Sequence, residues 1–258
     1  MTTWVLLRGL AREARHWGAF GRQLQARLPD GDLVTSIDLP GNGARWLERS
    51  PARVTELVDS ARHSLLAMEL APPYGLVALS LGGMVARQWM DSHPQDVSRS
   101  VLINSSAGGL SPFWRRLRPG SYPQLLNLLR PGRRAIDRER AIIALTSNLP
   151  VPDALARVWA SHALSCPVTH ANFGRQLGAA IRFRPLAMAP SVPTLLLASR
   201  GDRLVSHRCS RDMARAWRLP LAEHASAGHD LPLDDPDWVI EQIARWQAGR
   251  LSGSMPVA

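Results

Sequence analysis

Gly75-Leu76-Val77-Ala78-Leu79-Ser80-Leu81-Gly82-Gly83-Met84 decides the fold of this chain. Residues 75–79 are a short apolar run of the kind that forms a fully buried strand. Residues 81–92 carry helical spacing of apolar side chains and follow with almost no loop. Ser80 sits at the junction, with small residues two positions before and after it, Ala78 and Gly82. A chain that reverses this sharply strains the serine and projects its hydroxyl, and large side chains at those flanking positions would collide with the neighbouring strand and helix. Gly83 adds room for close helix–sheet packing. The free amides of the helix N-terminus face the place where negative charge would develop. The plainer alternative is a serine that only caps the helix.

Outward from this elbow the chain alternates. Strands are expected at 4–7, 33–39, 75–79, 97–103, 192–199 and 220–223. Helices are expected at 17–28, 54–70, 81–92, 209–217 and 238–247. Such alternation specifies a mostly parallel sheet covered on both faces. Pro40-Gly41-Asn42-Gly43 closes the second strand as a strong turn signal. Between Gly108 and Pro190 the rhythm stops, and helices are expected at 136–147, 153–163 and 170–181. This arginine-dense stretch reads as a helical insertion above the carboxyl edge of the sheet, where open α/β sheets place their ligands. The expected division is a core of residues 1–107 and 191–250, a helical cap of 108–190, and a frayed tail of 251–258.

A nucleophilic serine needs a base, and the base an orienting carboxylate. His229 is the candidate base, since Gly228 lets its loop present the ring inward. His207 and His224 lie nearby without such a loop. Asp202, just after the strand at 192–199, is the candidate carboxylate. Asp230, Asp234 and Asp235 are closer in sequence, but adjacency orients an imidazole poorly, and Asp234 and Asp235 suit caps of the final helix. The plainer alternatives are a surface histidine, and a turn aspartate or partner of Arg203. The resulting order Ser80, Asp202, His229 suits an elbow of this kind. The amides of Leu81 and Leu10 are the candidate oxyanion hole, with Gly9 permitting close approach.

With these motifs assembled, the chain resembles the α/β-hydrolase superfamily with a helical cap over essentially its whole length. Leu6-Leu7-Arg8-Gly9 resembles the first strand and oxyanion loop, Asp38-Leu39-Pro40-Gly41-Asn42-Gly43 the following turn, and Ser80, Asp202 and His229 the triad. Within the superfamily it looks most similar to the pimeloyl-carrier-protein methyl ester esterase and carboxylesterase group. Three departures stand out. Arg8 replaces a usual histidine, Asn42 replaces another, and the usual leading pair of strands is missing or vestigial, leaving about six strands. The resemblance implies a cofactor-free serine hydrolase that cleaves a small-molecule carboxylic ester through an acyl-enzyme. Thioester hydrolysis, C–C bond hydrolysis, a haloperoxidase-like perhydrolase side activity and a non-catalytic binding protein on the same fold remain alternatives. It also implies an arginine-bearing cap that receives an acidic acyl carrier protein. Arg134 and Arg138, four residues apart, would share a helix face for such recognition.

Composition narrows the remaining classes. The chain has 258 residues and a net charge of +10, and all 31 basic residues are arginine. Exclusion of lysine suggests coding bias rather than nucleic-acid binding, although the charge could steer anionic substrates. Two cysteines cannot build a disulfide framework. Cys166 with His162 and His170 offers metal-ligand types, but Pro167 interrupts their helix and no fourth ligand follows, so no metal is expected. A Lys-bearing phosphate loop and a dinucleotide glycine pattern are both missing. No apolar stretch approaches a membrane span or signal peptide, which makes the cytoplasm the expected location. Oligomeric state is left open.

Overall fold

The computed structural model describes residues 1–128, 130, 132–150 and 152–250. The tail expected to fray, 251–258, lies outside them. Strands β1 (Thr3–Leu7), β2 (Leu33–Ile37), β3 (Tyr74–Leu79), β4 (Val97–Ile103), β5 (Thr194–Ser199) and β6 (Leu221–His224) form one sheet in the order β2-β1-β3-β4-β5-β6. Every neighbouring pair is parallel. The chain therefore starts in the sheet interior, winds outward to β2, then crosses back over β1 and runs to the other edge.

Apolar runs became strands because both faces of this sheet are buried. Val5 and Leu7 of β1 join Leu76, Ala78, Leu102 and Leu196 in one core. That core is closed by α2 (Val54–Ala67), α3 (Leu81–Ser92) and α9 (Arg208–Trp217). Trp4 and Leu6 point the other way and join Val77, Leu79, Val101, Ile103, Leu195 and Leu197. There α1 (Phe20–Gln25) and α11 (Pro236–Gln247) provide the cover. Each fully buried aliphatic side chain contributes about 1.5–3 kcal/mol.

Between β4 and β5 the chain leaves the sheet through helices α4 (Phe113–Arg116), α5 (Tyr122–Leu128), α6 (Ala135–Thr146), α7 (Asp153–Ser165) and α8 (His170–Arg182). A further short helix, α10 (Leu231–Asp234), precedes α11. The helix expected at 17–28 is instead a 3₁₀ turn at Ala14–Trp17 followed by α1. Gly18, at φ 55°, breaks the helical path between them. No helix among the described residues is long and apolar enough to cross a membrane.

Candidate active site

Ser80 links β3 to α3 at φ 57° and ψ −115°. A non-glycine residue in this region carries about 1–3 kcal/mol of strain, so the surroundings must impose it. Its N–H donates to the Ile103 carbonyl at 2.9 Å. Its own carbonyl accepts from the Ser105 hydroxyl at 2.9 Å. Gly82, one of the small neighbours predicted for an elbow, is required sterically. A Cβ on Gly82 would lie 2.3 Å from the Leu7 carbonyl oxygen, and one on Gly9 would lie 3.2 Å from the Ser80 Cβ.

Ser80 lines an apolar cavity of about 80 Å³ with Leu10, Leu81, Met84, Leu177 and Val205. Both candidate oxyanion residues thus border the serine. Among the described residues, neither the Leu10 nor the Leu81 N–H has a hydrogen-bond acceptor in the chain. Arg116 also lines this cavity, a residue that no sequence motif places at the site. Its guanidinium donates to the Ala180 carbonyl at 2.6 Å, tying α4 to α8, and burial holds its pKa below the usual arginine range.

Asp202 lies in the loop after β5 and is fully buried. Its Oδ1 accepts from the amides of Leu204 at 2.7 Å and Val205 at 2.9 Å. That leaves Oδ2 for the His229 ring, whose Nδ1 lies 2.7 Å away. The sequence-predicted acid and base are therefore together. Burial alone would push the His229 pKa down. The Asp202 charge and hydrogen bond outweigh it, with a contribution from Asp230, and the ring lies above the ordinary imidazole value.

The β4 end fixes these groups relative to one another. Ile103 and Ser105 hold the Ser80 backbone, while the Asn104 side-chain amide donates to the His229 carbonyl at 2.9 Å. Asn104 is itself at φ 45°, and its Oδ1 accepts from the Ser199 N–H at 2.8 Å. An asparagine closing a strand is the one signal that could have revealed this tie. Among the described residues, the Ser80 hydroxyl has no hydrogen bond to the His229 ring. Such bonds commonly tighten only with substrate in place.

Three acids near His229 in sequence have other partners. Asp230 meets Arg8, the residue that departs from the family pattern, in a buried ion pair. The Arg8 guanidinium also lies 4.8 Å from the Trp17 ring centroid. Asp235 caps α11 as expected, accepting from the Trp238 N–H at 3.0 Å. Asp234 does not cap it. Its carboxylate accepts from the Ser147 hydroxyl, the Asn148 N–H at 2.9 Å and the Gly228 N–H at 2.6 Å, fastening the His229 loop to the end of α6.

The helix carrying Arg138 begins at Ala135, so Arg134 is its N-cap. Arg134 is 77% exposed and lies 3.6 Å from Asp137. Arg138 instead borders an inner cavity with Arg12, Glu139 and His162, and its Nε is buried without a partner. One arginine of the expected pair is thus exposed and the other half-buried. Cys166, at the end of α7, and His170, which opens α8, flank the break at Pro167.

The description of the alpha/beta hydrolase family matches residues 4–242, and the chain belongs to that family. It is 27% identical over 273 residues to the biotin biosynthesis bifunctional protein BioHC of Teredinibacter turnerae, covering 96% of this chain and 45% of that one. The chain thus spans less than half the length of that relative. It is 27% identical over 221 residues to the pimeloyl-(acyl-carrier protein) methyl ester esterase of Klebsiella pneumoniae, covering 83% of this chain and 80% of that one. Among solved structures, the meta-cleavage product hydrolase of Pseudomonas fluorescens IP01 superposes with a TM-score of 0.77 at 18% identity, covering 96% of this chain and 91% of that one.

Proposed function

We propose that this protein hydrolyses a carboxylic ester through an acyl-enzyme on Ser80. The observation that carries the proposal is the buried Asp202–His229 pair, fastened through Asn104 to the same strand end as the strained Ser80. His229 takes the Ser80 proton as its oxygen attacks the ester carbonyl. The amides of Leu81 and Leu10 receive the oxyanion. His229 then protonates the leaving alcohol, and water repeats the cycle to release the acid. Asp202 keeps the ring oriented and stabilises its charged form. The chemistry uses only protein groups.

The cavity beside Ser80 is small and lined chiefly by aliphatic side chains, which supports a short uncharged acyl or alkyl group there. The name of the Klebsiella relative couples its ester to an acyl carrier. For an acidic carrier approaching this chain, Arg134 is the exposed member of the expected pair.

Covalent labelling tests the assignment. A fluorophosphonate should modify the purified protein, and Ser80→Ala should abolish the modification. Equal labelling of the alanine variant would remove Ser80 from the mechanism. A panel of p-nitrophenyl esters, acyl thioesters and a dienoic diketone then separates the bond types. C–C cleavage without ester turnover would overturn the ester reading.

A further inference from the structure

A second, much larger cavity of about 910 Å³ lies on the outer side of the Asp202 loop. Residues 115–118 and 204–206 form the shared wall. The Arg118 N–H donates to the Leu204 carbonyl at 2.9 Å, and the Ser206 N–H to the Arg115 carbonyl at 2.8 Å. Leu117 and Val205 face the cavity beside Ser80, while Arg118 and Ser206 face the outer one. The side towards Ser80 carries Leu117, Leu204 and Val205 with Arg116 as its one charge, whereas the outer side carries Arg115 and Arg118.

Arg115, Arg118, Arg200, Arg203 and Arg208 line the outer bowl, and no carboxylate does among the described residues. Arg115 lies 3.3 Å from Asp212. Arg200 shares Glu223 with Arg211, at 3.2 and 2.7 Å. Arg118 and Arg203 donate only to backbone carbonyls, those of Asp202 and Ser147, each at 2.6 Å. Among the described residues Arg208 has no carboxylate within ion-pair distance. Three guanidinium charges are thus left without a counter-charge among the described residues, Arg200 shares one, and Arg115 alone has its own. Arg208 and His207 also stand at the start of α9, where the helix dipole adds positive potential. His207 lines the bowl, and its Nδ1 is buried without a hydrogen-bond partner. Trp114, 63% exposed, lines the bowl with apolar Pro119, Ala144 and Leu145, and Ser121, Gln124 and Asn127 add uncharged polar groups.

From this arrangement we infer a second binding site, independent of the hydrolase reading, for the diphosphate group of a small molecule. Forked guanidinium donors match phosphate oxygens two at a time. Several uncompensated cations around one concavity suit a compact, multiply charged anion better than a single carboxylate. The bowl has space beyond a diphosphate, and Trp114 offers a face on which a planar group could stack.

Calorimetric titration of the full chain with sodium pyrophosphate and with ADP tests the inference, at a constant ionic strength near 0.1 M. One saturable site is expected. Arg208→Glu, and the double variant Arg203→Glu with Arg208→Glu, should weaken it by at least about tenfold while circular dichroism stays unchanged. Arg27→Glu, which removes the same charge from an exposed position outside the bowl, should leave it intact. Tighter binding of ADP, with the difference lost in Trp114→Ala, would support an organic diphosphate. Equal affinities would support free diphosphate. No saturable binding of either probe, or equal weakening by Arg27→Glu, would overturn the site and leave the charge as composition.

Discussion

Arg8 and Asp230, 222 residues apart, meet in a buried two-point ion pair, with Nη1–Oδ1 at 3.1 Å and Nη2–Oδ2 at 2.5 Å. The pair links the end of β1 to the residue after His229. It also engages both oxygens of a carboxylate that would otherwise be free to compete with Asp202 for the ring. Arg8→Met should destabilise the protein by about 3–5 kcal/mol, because it leaves a buried charge without its partner. Adding Asp230→Leu should recover most of that loss. Denaturant midpoints of the three variants and wild type give the comparison. An unchanged midpoint for Arg8→Met would mean that the pair does not brace this loop.

The raised pKa of His229 sets opposite trends for stability and activity. The charged ring is favoured in the folded protein, so the stabilisation is fully present below the unfolded imidazole value of about 6.5. It fades as pH rises through the folded pKa. Proton acceptance requires the neutral ring, so kcat/KM should climb with pH to an inflection above about 6.5. Asp202→Asn leaves burial unopposed by its main counterweight, and the inflection of the residual activity should move down. Its kcat should fall by about 10⁴. Activity within a few-fold of wild type would show that another group orients the ring.

Gly82→Ala places a methyl group against the Leu7 carbonyl at a distance no relaxed contact allows. The elbow must then shift away from β1, which carries the candidate oxyanion loop at its end. A stability loss of about 1–3 kcal/mol is expected from overpacking. The rate of fluorophosphonate labelling should fall with it. Full labelling at wild-type stability would mean that the elbow tolerates displacement.

Carrier recognition, if it operates, should be sensitive to salt. Raising ionic strength through about 0.1 M should depress kcat/KM for a carrier-bound ester and spare a small neutral ester. Arg134→Glu should mimic that selective loss. Arg138→Glu alters a half-buried residue and should affect both substrates together. Identical salt responses from the two substrates would leave the cap charge without a recognition role.

Much of the fold was legible because a doubly covered sheet makes strands of continuous apolar runs. Residues 97–103 illustrate this, matching β4 at both ends. The elbow was equally legible, since Ser80 and its small neighbours are contiguous. Chain order and local turn residues were enough to nominate Asp202 and His229, whose side chains meet in the structure. The supports were not, because their partners are far away in sequence. Nothing near Arg8 points to Asp230. Asp234 carries the local signature of a cap, and only the approach of α6 gives it Ser147 and Asn148 instead. Arg134 and Arg138 have helical spacing, but where α6 begins decides that one turns outward and the other inward.

Ile103, Asn104 and Ser105 act as a spacer of fixed length. Both ends hold the backbone of Ser80 and the middle holds that of His229. Three residues of extended chain span at most about 11 Å, a limit set by covalent geometry rather than by side-chain packing. Substitutions deep in either apolar core can therefore lower the melting temperature without changing the gap that a proton must cross. Sensitivity to that gap is concentrated at Asn104: its replacement by leucine would release the base from the ruler while leaving the serine attached.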